Sequence, residues 1–299
     1  MATFKQSEDY DYSEYLIPHG TINGVAIPFF TTPEFRLDLR QNFKLRPESD
    51  IFIVTYPKSG TTWMQNILRE MLFAEEKGEW ADLPLTDRVP WLDHIRDMSV
   101  GDLERLPNPR VFKCHNHSPQ EMDELFFKGD KTPRIIYVLR DPRDVSVSLF
   151  YNLQKAGKTI SDWMTKASFT DFFKTYFRDE KVVFYGPWEK HVENWLSARH
   201  EYNILVVRYE DLIADSSKEI ARIATFIGWD CSAERVREIA DKTSFASVTK
   251  EKLFKVENGV SDSFLRKGVV GDWENHFVDV EDEKLMREIA EELFKKHGV

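Results

Sequence analysis

The stretch from Ile51 to Leu72 constrains the chain more than any other. Ile51-Phe-Ile-Val54 is a short apolar run of β-branched and aromatic residues, and beyond it Trp63, Met64, Ile67, Leu68, Met71 and Leu72 recur at helical spacing. The pattern reads as strand, tight turn, helix, with Thr55-Tyr-Pro-Lys-Ser-Gly-Thr-Thr-Trp63 forming the turn and the helix start. Gly60 lets the backbone approach a ligand closely, and Thr61 and Thr62 are candidate caps for a helix whose first amides and dipole favour an anion. Lys58 adds a cation to the same turn, so a group of phosphate size is the natural occupant. The turn is not a Walker A loop, because its lysine precedes its only glycine. A purely structural turn is the competing reading.

Composition limits the partners. A chain of 299 residues with 41% hydrophobic content can bury a sizeable core. No apolar run approaches the roughly 18 residues needed to span a membrane, and the first residues are acidic and aromatic (Glu8, Asp9, Asp11, Glu14) rather than basic and then apolar. The expectation is therefore no export signal, no membrane and a cytoplasmic location. Cys114 and Cys231 are too few for a disulfide framework, which fits a reducing compartment and leaves the Asn116-His117-Ser118 sequon without meaning. A formal net charge of −10 argues against nucleic acid, so any anion site must be a local basic pocket. With no internal repeat or low-complexity tract, one domain over residues 1–299 is expected.

Taken in order, residues 1–45 contain Pro18, Pro28 and Pro33 and suggest an extended N-terminal arm. Trp80 to Pro109 is proline-rich and reads as loop with short helical pieces. In Val111-Phe-Lys-Cys-His115, period-two alternation projects Val111, Lys113 and His115 to one side and Phe112 and Cys114 to the other. A solvated edge strand and a metal pair of His115 with His117 compete with a catalytic reading of that face, although no third ligand stands at a recognisable spacing. Arg134-Ile-Ile-Tyr-Val-Leu-Arg140 is a strand buried on both faces, and Asp141-Pro142 then starts a helix. Helical patterns follow at 161–177 and 187–200, with a strand at Ile204-Leu-Val-Val-Arg208. A helix from Ser216 ends at Gly228. Residues 243–272 have weak periodicity and carry the adjacent cations Arg266 and Lys267. The last helix, 281–297, has Leu285, Ile289, Leu293 and Phe294 facing inward. Alternating strands and helices make the fold α/β, with a central parallel β-sheet flanked by helices and ligand groups at the strand ends.

Pro57-Lys-Ser-Gly-Thr-Thr-Trp63 resembles the 5′-phosphosulfate loop of the cytosolic sulfotransferases. Lys113-Cys-His115, Arg140-(x)7-Ser148 and Arg266-Lys-Gly268 followed by Gly271-Asp-Trp273 occur in that family's order, so the resemblance spans nearly the whole chain. It implies a single-domain, P-loop-like sulfotransferase fold. It also implies transfer of the sulfuryl group from 3′-phosphoadenosine 5′-phosphosulfate (PAPS) to a hydroxyl or amine of a small acceptor by in-line displacement, with 3′-phosphoadenosine 5′-phosphate (PAP) as product and no metal. On this resemblance His115 is the general base, and Lys58 and Lys113 stabilise charge on the transferring group. Ser59, Gly60, Thr61 and Thr62 hold the 5′-phosphosulfate. Trp63 stacks on adenine and Tyr209 contacts it. Arg140 and Ser148 bind the 3′-phosphate, and Ser148 also steers Lys58. Thr243, Ser244 and Phe245, together with Phe264, Leu265, Arg266, Lys267 and Gly268, belong to a segment covering the cofactor. Phe29, Phe30, Trp91 and Phe150, with Lys113 and His115, form an aromatic acceptor pocket suited to phenolic or apolar acceptors. His117 departs from the usual apolar continuation.

Two other functions compete. A P-loop kinase should carry a lysine after the glycine and a magnesium-holding carboxylate, whereas a catalytically silent binder should lack the base, and His115 is present. Many members of the family dimerise through Lys-x-x-x-Thr-Val-x-x-x-Glu after Gly-Asp-Trp, where this chain has Glu274, Val278, Asp279 and Glu283. The expected state is a monomer, or a dimer using another surface.

Overall fold

The computed structural model describes residues 19–22, 24–28, 31–81, 83–92, 98–127, 132–157, 161–180, 182–250 and 266–299. Two antiparallel strands, β1 (His19–Ile22) and β2 (Val25–Pro28), precede α1 (Pro33–Asn42), β3 (Ile51–Thr55) and α2 (Thr61–Leu72). Short helices α3 (Leu85–Arg88) and α4 (Val100–Arg105) lead to β4 (Val111–Cys114) and α5 (Pro119–Leu125). Then come β5 (Arg134–Leu139), α6 (Pro142–Ala156), α7 (Phe169–Phe172), which runs on as a π-helical turn through Phe177, and α8 (Trp188–Ser197). The chain closes with β6 (Ile204–Arg208), α9 (Tyr209–Ala214), α10 (Ser216–Ile227), α11 (Ala233–Thr243), α12 (Phe245–Lys250) and α13 (Val280–His297).

The four longer-range strands form one parallel sheet in the order β4-β3-β5-β6. Period-two alternation divides their side chains between two layers. Ile51, Ile53, Val111, Ile136, Val138 and Val207 meet Met64, Ile67, Leu68 and Met71 of α2 and the apolar faces of α10 and α11. Phe52, Val54, Phe112, Cys114, Tyr137 and Leu139 meet α6, α8 and α13 on the other side. Each such side chain taken fully out of water contributes about 1.5–3 kcal/mol, which is why α2 holds its turn firmly at the carboxyl end of the sheet.

Asp50 and Arg110, the residues preceding β3 and β4, form a fully buried bidentate pair at 2.8 and 2.6 Å. Arg110 Nη2 also donates to the Lys44 carbonyl at 2.7 Å, and Asp50 accepts from the Arg46 amide at 2.7 Å. The clamp sets Ile51 opposite Val111, and the parallel register carries this alignment to Val54 opposite Cys114. Thr55 and His115 consequently emerge side by side.

Three expectations are corrected. Residues 1–45 are not extended throughout: Thr32 accepts from the Phe35 amide at 3.3 Å, Pro33 stands in the first turn and α1 follows. A proline just after a threonine cap starts a helix rather than breaking one. The segment 243–272 is not all loop, since Ser244 accepts from the Ser247 amide at 3.3 Å at the start of α12. On α13 the buried positions are Met286, Ala290 and His297, while Leu285 is 44% exposed, one position out of phase with the inward face. Among the described residues no helix is long and apolar enough to cross a membrane.

Candidate active site

All four parallel strands end on one side of the molecule and hand over a polar or aromatic residue there: Thr55 and its turn from β3, His115 from β4, Arg140 from β5 and Tyr209 from β6. The chain leaves β3 toward β4 and leaves β5 toward β6, so the crevice between β3 and β5 is the topological switch point, where open α/β sheets bind ligands.

The turn after β3 is tightly wound. Lys58 has φ 72° and Gly60 φ 110°, two left-handed residues within three positions. For a lysine that conformation costs of order 1–3 kcal/mol, a strain that collects at functional sites. A Cβ on Gly60 would come within 2.9 Å of the Tyr209 ring, so only glycine fits between turn and ring. The expectation that Thr61 or Thr62 caps α2 is corrected, because Gly60 is the cap and the threonines occupy the first two helical positions. Thr61 instead meets the Thr55 hydroxyl at 2.6 Å. A glycine cap has no side chain for the first helical amides, which suits an anion there. Burial, and then the charges of Arg140, Lys113, Lys155 and Arg266, pull the Lys58 ammonium down to about 7. A cluster of cations thus gathers at this turn in a chain whose net charge is −10.

His115 is buried, with Nδ1 2.8 Å from the Thr55 carbonyl oxygen and 3.1 Å from the Thr55 hydroxyl. A carbonyl only accepts, so Nδ1 carries the proton and Nε2 the lone pair. Burial, reinforced by Lys113 and Lys58, lowers the imidazolium to about 3 against the opposing pull of the Thr55 carbonyl. The ring is therefore neutral at neutral pH. Lys113 Nζ lies 4.7 Å from the centre of the Trp91 ring, and Trp91 stands edge-on to His115 at 5.4 Å. Trp91 is held there by the Lys113 amide, which donates to Pro90 O at 2.9 Å, and by the Leu92 amide, which donates to Lys113 O at 2.9 Å. His117, the other histidine of the alternative ligand pair, has its Nδ1 bound to the Tyr185 carbonyl at 2.7 Å. Among the described residues no group of three His, Cys, Asp or Glu is arranged to hold a metal.

On the other flank, Arg140 donates to Lys58 O at 3.1 Å and to Val269 O at 3.2 Å, and its guanidinium lies 4.1 Å over the Tyr209 ring. Trp63 packs edge-on to Tyr209 at 5.5 Å. Ser148 is half-buried on α6, two turns beyond Arg140. Thr243 and Ser244 close α11 through hydrogen bonds to Ile239 O and Asp241 O, and Gly268 packs directly on the Phe245 ring. Arg266 and Lys267 pair with Asp272, Lys267 at 2.6 Å. Those cations, together with a hydrogen bond from His276, hold the Asp272 carboxyl well below the usual range despite its burial.

Among the described residues, Ser59 Oγ, Trp63 Nε1, Arg140 Nε and Arg266 Nε are buried without a hydrogen-bond partner. Buried polar atoms are almost always paired, and these four, drawn from three separate motifs, are among twelve such orphans in the described residues.

Phe29, Phe30, Phe264 and Leu265 lie outside the described residues. Phe150 is 5% exposed in the core, its ring 5.7 Å from Phe169 and 5.4 Å from Phe172. Sequence reading missed Lys155, although seven residues after Ser148 is two helical turns along the same face. It also missed Tyr185, whose ring lies 5.3 Å from His115 and whose φ is 65°. The only local hint was its place before Gly186-Pro187.

A parallel sheet with a glycine-capped, cation-lined turn at its switch point and a buried neutral histidine beside it suits an α/β group-transfer enzyme. Residues 48–298 match the family model described as the sulfotransferase domain. Amine sulfotransferase of the rabbit Oryctolagus cuniculus is 33% identical over 271 residues, which cover 86% of this chain and 84% of that protein. Sulfotransferase 2A1 of Homo sapiens is 32% identical over 291 residues, covering 91% and 96%. The crystal structure of mouse sulfotransferase SULT7A1 complexed with PAP superposes with a TM-score of 0.72 at 25% identity, covering 92% of this chain and 93% of that one. The chain belongs to the sulfotransferase family.

Proposed function

We propose that this enzyme transfers the sulfuryl group of PAPS to a hydroxyl or amine of a small phenolic or apolar acceptor in the cytoplasm, with His115 as general base. The observation that carries the reading is the convergence on one crevice of a neutral histidine with Nε2 as its basic nitrogen and a cluster of cations around the glycine-capped helix. The buried donors without protein partners suit a ligand with phosphate-type groups at both ends of that crevice. That the mouse structure holds PAP is in keeping with this fit.

PAPS would supply the sulfuryl group and leave as PAP when the bond from sulfur to the bridging oxygen breaks. Ser59 and the amides opening α2 would hold the 5′ end, and Arg140, Ser148 and Arg266 the 3′-phosphate. Trp63 and Tyr209, already in edge contact, would flank the adenine. His115 Nε2 would take the proton of the acceptor hydroxyl as its oxygen bonds to sulfur. Lys58 and Lys113 would balance the charge that develops on the oxygens around sulfur, the electrostatic logic of phosphoryl transfer. Trp91, beside both Lys113 and His115, would set one wall for a flat acceptor.

The test is a panel of phenols, monoamines, steroids and retinoids incubated with labelled PAPS, with and without EDTA. Labelled product with at least one class, unaffected by the chelator, is expected. Failure with every class, combined with tighter binding of ATP and Mg²⁺ than of PAP, would favour the kinase reading instead.

A further inference from the structure

Asp144 lies on α6 between Arg140 and Ser148, is fully buried, and belongs to none of the motifs that mark the site. Each of its carboxylate oxygens accepts one backbone amide from a distant segment: Oδ2 from Gly271 at 2.8 Å and Oδ1 from Trp273 at 3.2 Å. Arg140 Nη2 stands 3.9 Å from the same carboxylate and donates to Val269 O at 3.2 Å. Residues 269–273 are thus tied at three points to the end of β5 and to α6. The tie is reinforced where the Arg143 guanidinium lies 4.0 Å over the Trp273 ring. Between the two latched amides sits Asp272, whose carboxylate gathers Arg266, Lys267 and His276. A buried carboxylate is costly unless both oxygens are satisfied, and here the amides of a remote turn satisfy them.

We infer that Asp144 is a positioning residue: by holding Gly271-Asp-Trp273 against α6 it keeps Arg266 beside Arg140 and so assembles the 3′-phosphate end of the cofactor site before ligand arrives. The inference rests on the cofactor reading above. A purely electrostatic effect has the opposite sign, since an anion near Arg140 weakens the field felt by a phosphate, and its removal would tighten binding.

The test compares PAP with adenosine 5′-phosphate by calorimetry on the intact chain, wild type and Asp144→Asn. Asparagine keeps the shape but has one acceptor oxygen, so it loses one amide and turns an N–H₂ toward the other. The expected result is that the preference for PAP over the monophosphate falls by about tenfold or more, while binding of the monophosphate changes little. An unchanged preference, with both ligands weakened alike or only the melting temperature lowered, means that Asp144 merely supports the fold and overturns the inference. Tighter PAP binding overturns it in favour of electrostatics. Wild-type protein without a preference for PAP would overturn the cofactor reading itself, a result distinct from either. If Asp144→Asn does not fold, hydrogen exchange on the ligand-free wild type decides: slow exchange of the Gly271 and Trp273 amides supports preassembly, whereas exchange at the unstructured rate until PAP is added overturns it.

Discussion

Lys58 offers the sharpest test of the electrostatics, because its ammonium is held near 7 by burial and by the charges of Arg140, Lys113, Lys155 and Arg266, and an anionic ligand would offset those four charges and add its own attraction against the burial. If the phosphate groups of PAP restore it to its ordinary 10.5, binding is linked to uptake of a proton wherever the free enzyme has lost one. The sign is definite: below pH 7 the lysine is charged in both states and no proton moves, while above pH 7 the free enzyme must regain a proton to bind. Affinity for PAP should then fall by about fiftyfold between pH 7 and 9, and close to one proton should be taken up per PAP at about pH 8.5. The phosphates lose their last proton at about pH 6, below this range, and His115, lowered to about 3, titrates far below it. Calorimetry at pH 8.5 in buffers of different ionisation enthalpy reads the proton directly. Lys58→Arg, charged throughout, should abolish both the uptake and the slope. A wild-type titration with no proton uptake, or an arginine variant with the same uptake, would refute the assignment.

Four further outcomes are expected. Arg140→Ala should weaken PAP about tenfold or more and leave adenosine 5′-phosphate nearly unchanged, since charge-assisted bonds contribute about 1.5–3 kcal/mol each; equal weakening in competition binding would make Arg140 structural. His115→Ala should lower turnover by about 10²–10⁴ with PAP binding intact, whereas a severe His117→Ala beside a mild His115→Ala would put the base on the wrong histidine. Asp50→Ala strips buried Arg110 of its bidentate partner and leaves it only the more distant Glu104, at 3.2 Å, as counter-charge, so urea unfolding should report a loss of about 3 kcal/mol, and a loss below 1 kcal/mol would contradict the clamp. Glu274 stands where the family's dimer segment has a lysine, and Asp279, paired with Lys174 at 2.8 Å, where it has an apolar valine; light scattering at micromolar concentration should show a monomer or a dimer using another surface, and a dimer broken by Val278→Glu would refute this.

Much of the site was legible in one dimension because its chemistry is carried by short, contiguous motifs. The strand–turn–helix around Lys58, the projection of Lys113 and His115 to one side of β4, and Arg140 at the end of a buried strand all follow from local periodicity. Local sequence also held the start of α1, in Thr32-Pro33, but a proline reads ambiguously as breaker or first-turn residue until a helix is seen after it. What no local pattern contains is charge and hydrogen bonding across distant segments. That His115 has its proton on Nδ1 depends on the Thr55 carbonyl, which only the parallel register of β3 and β4 brings alongside. The lowered ammonium of Lys58 depends on cations from β4, β5, α6 and the 266–273 segment meeting in a desolvated crevice. Asp144 and Tyr185 are anonymous in the sequence for the same reason: their partners lie far along the chain, and a carboxylate's or ring's surroundings are set by packing rather than by neighbours in sequence.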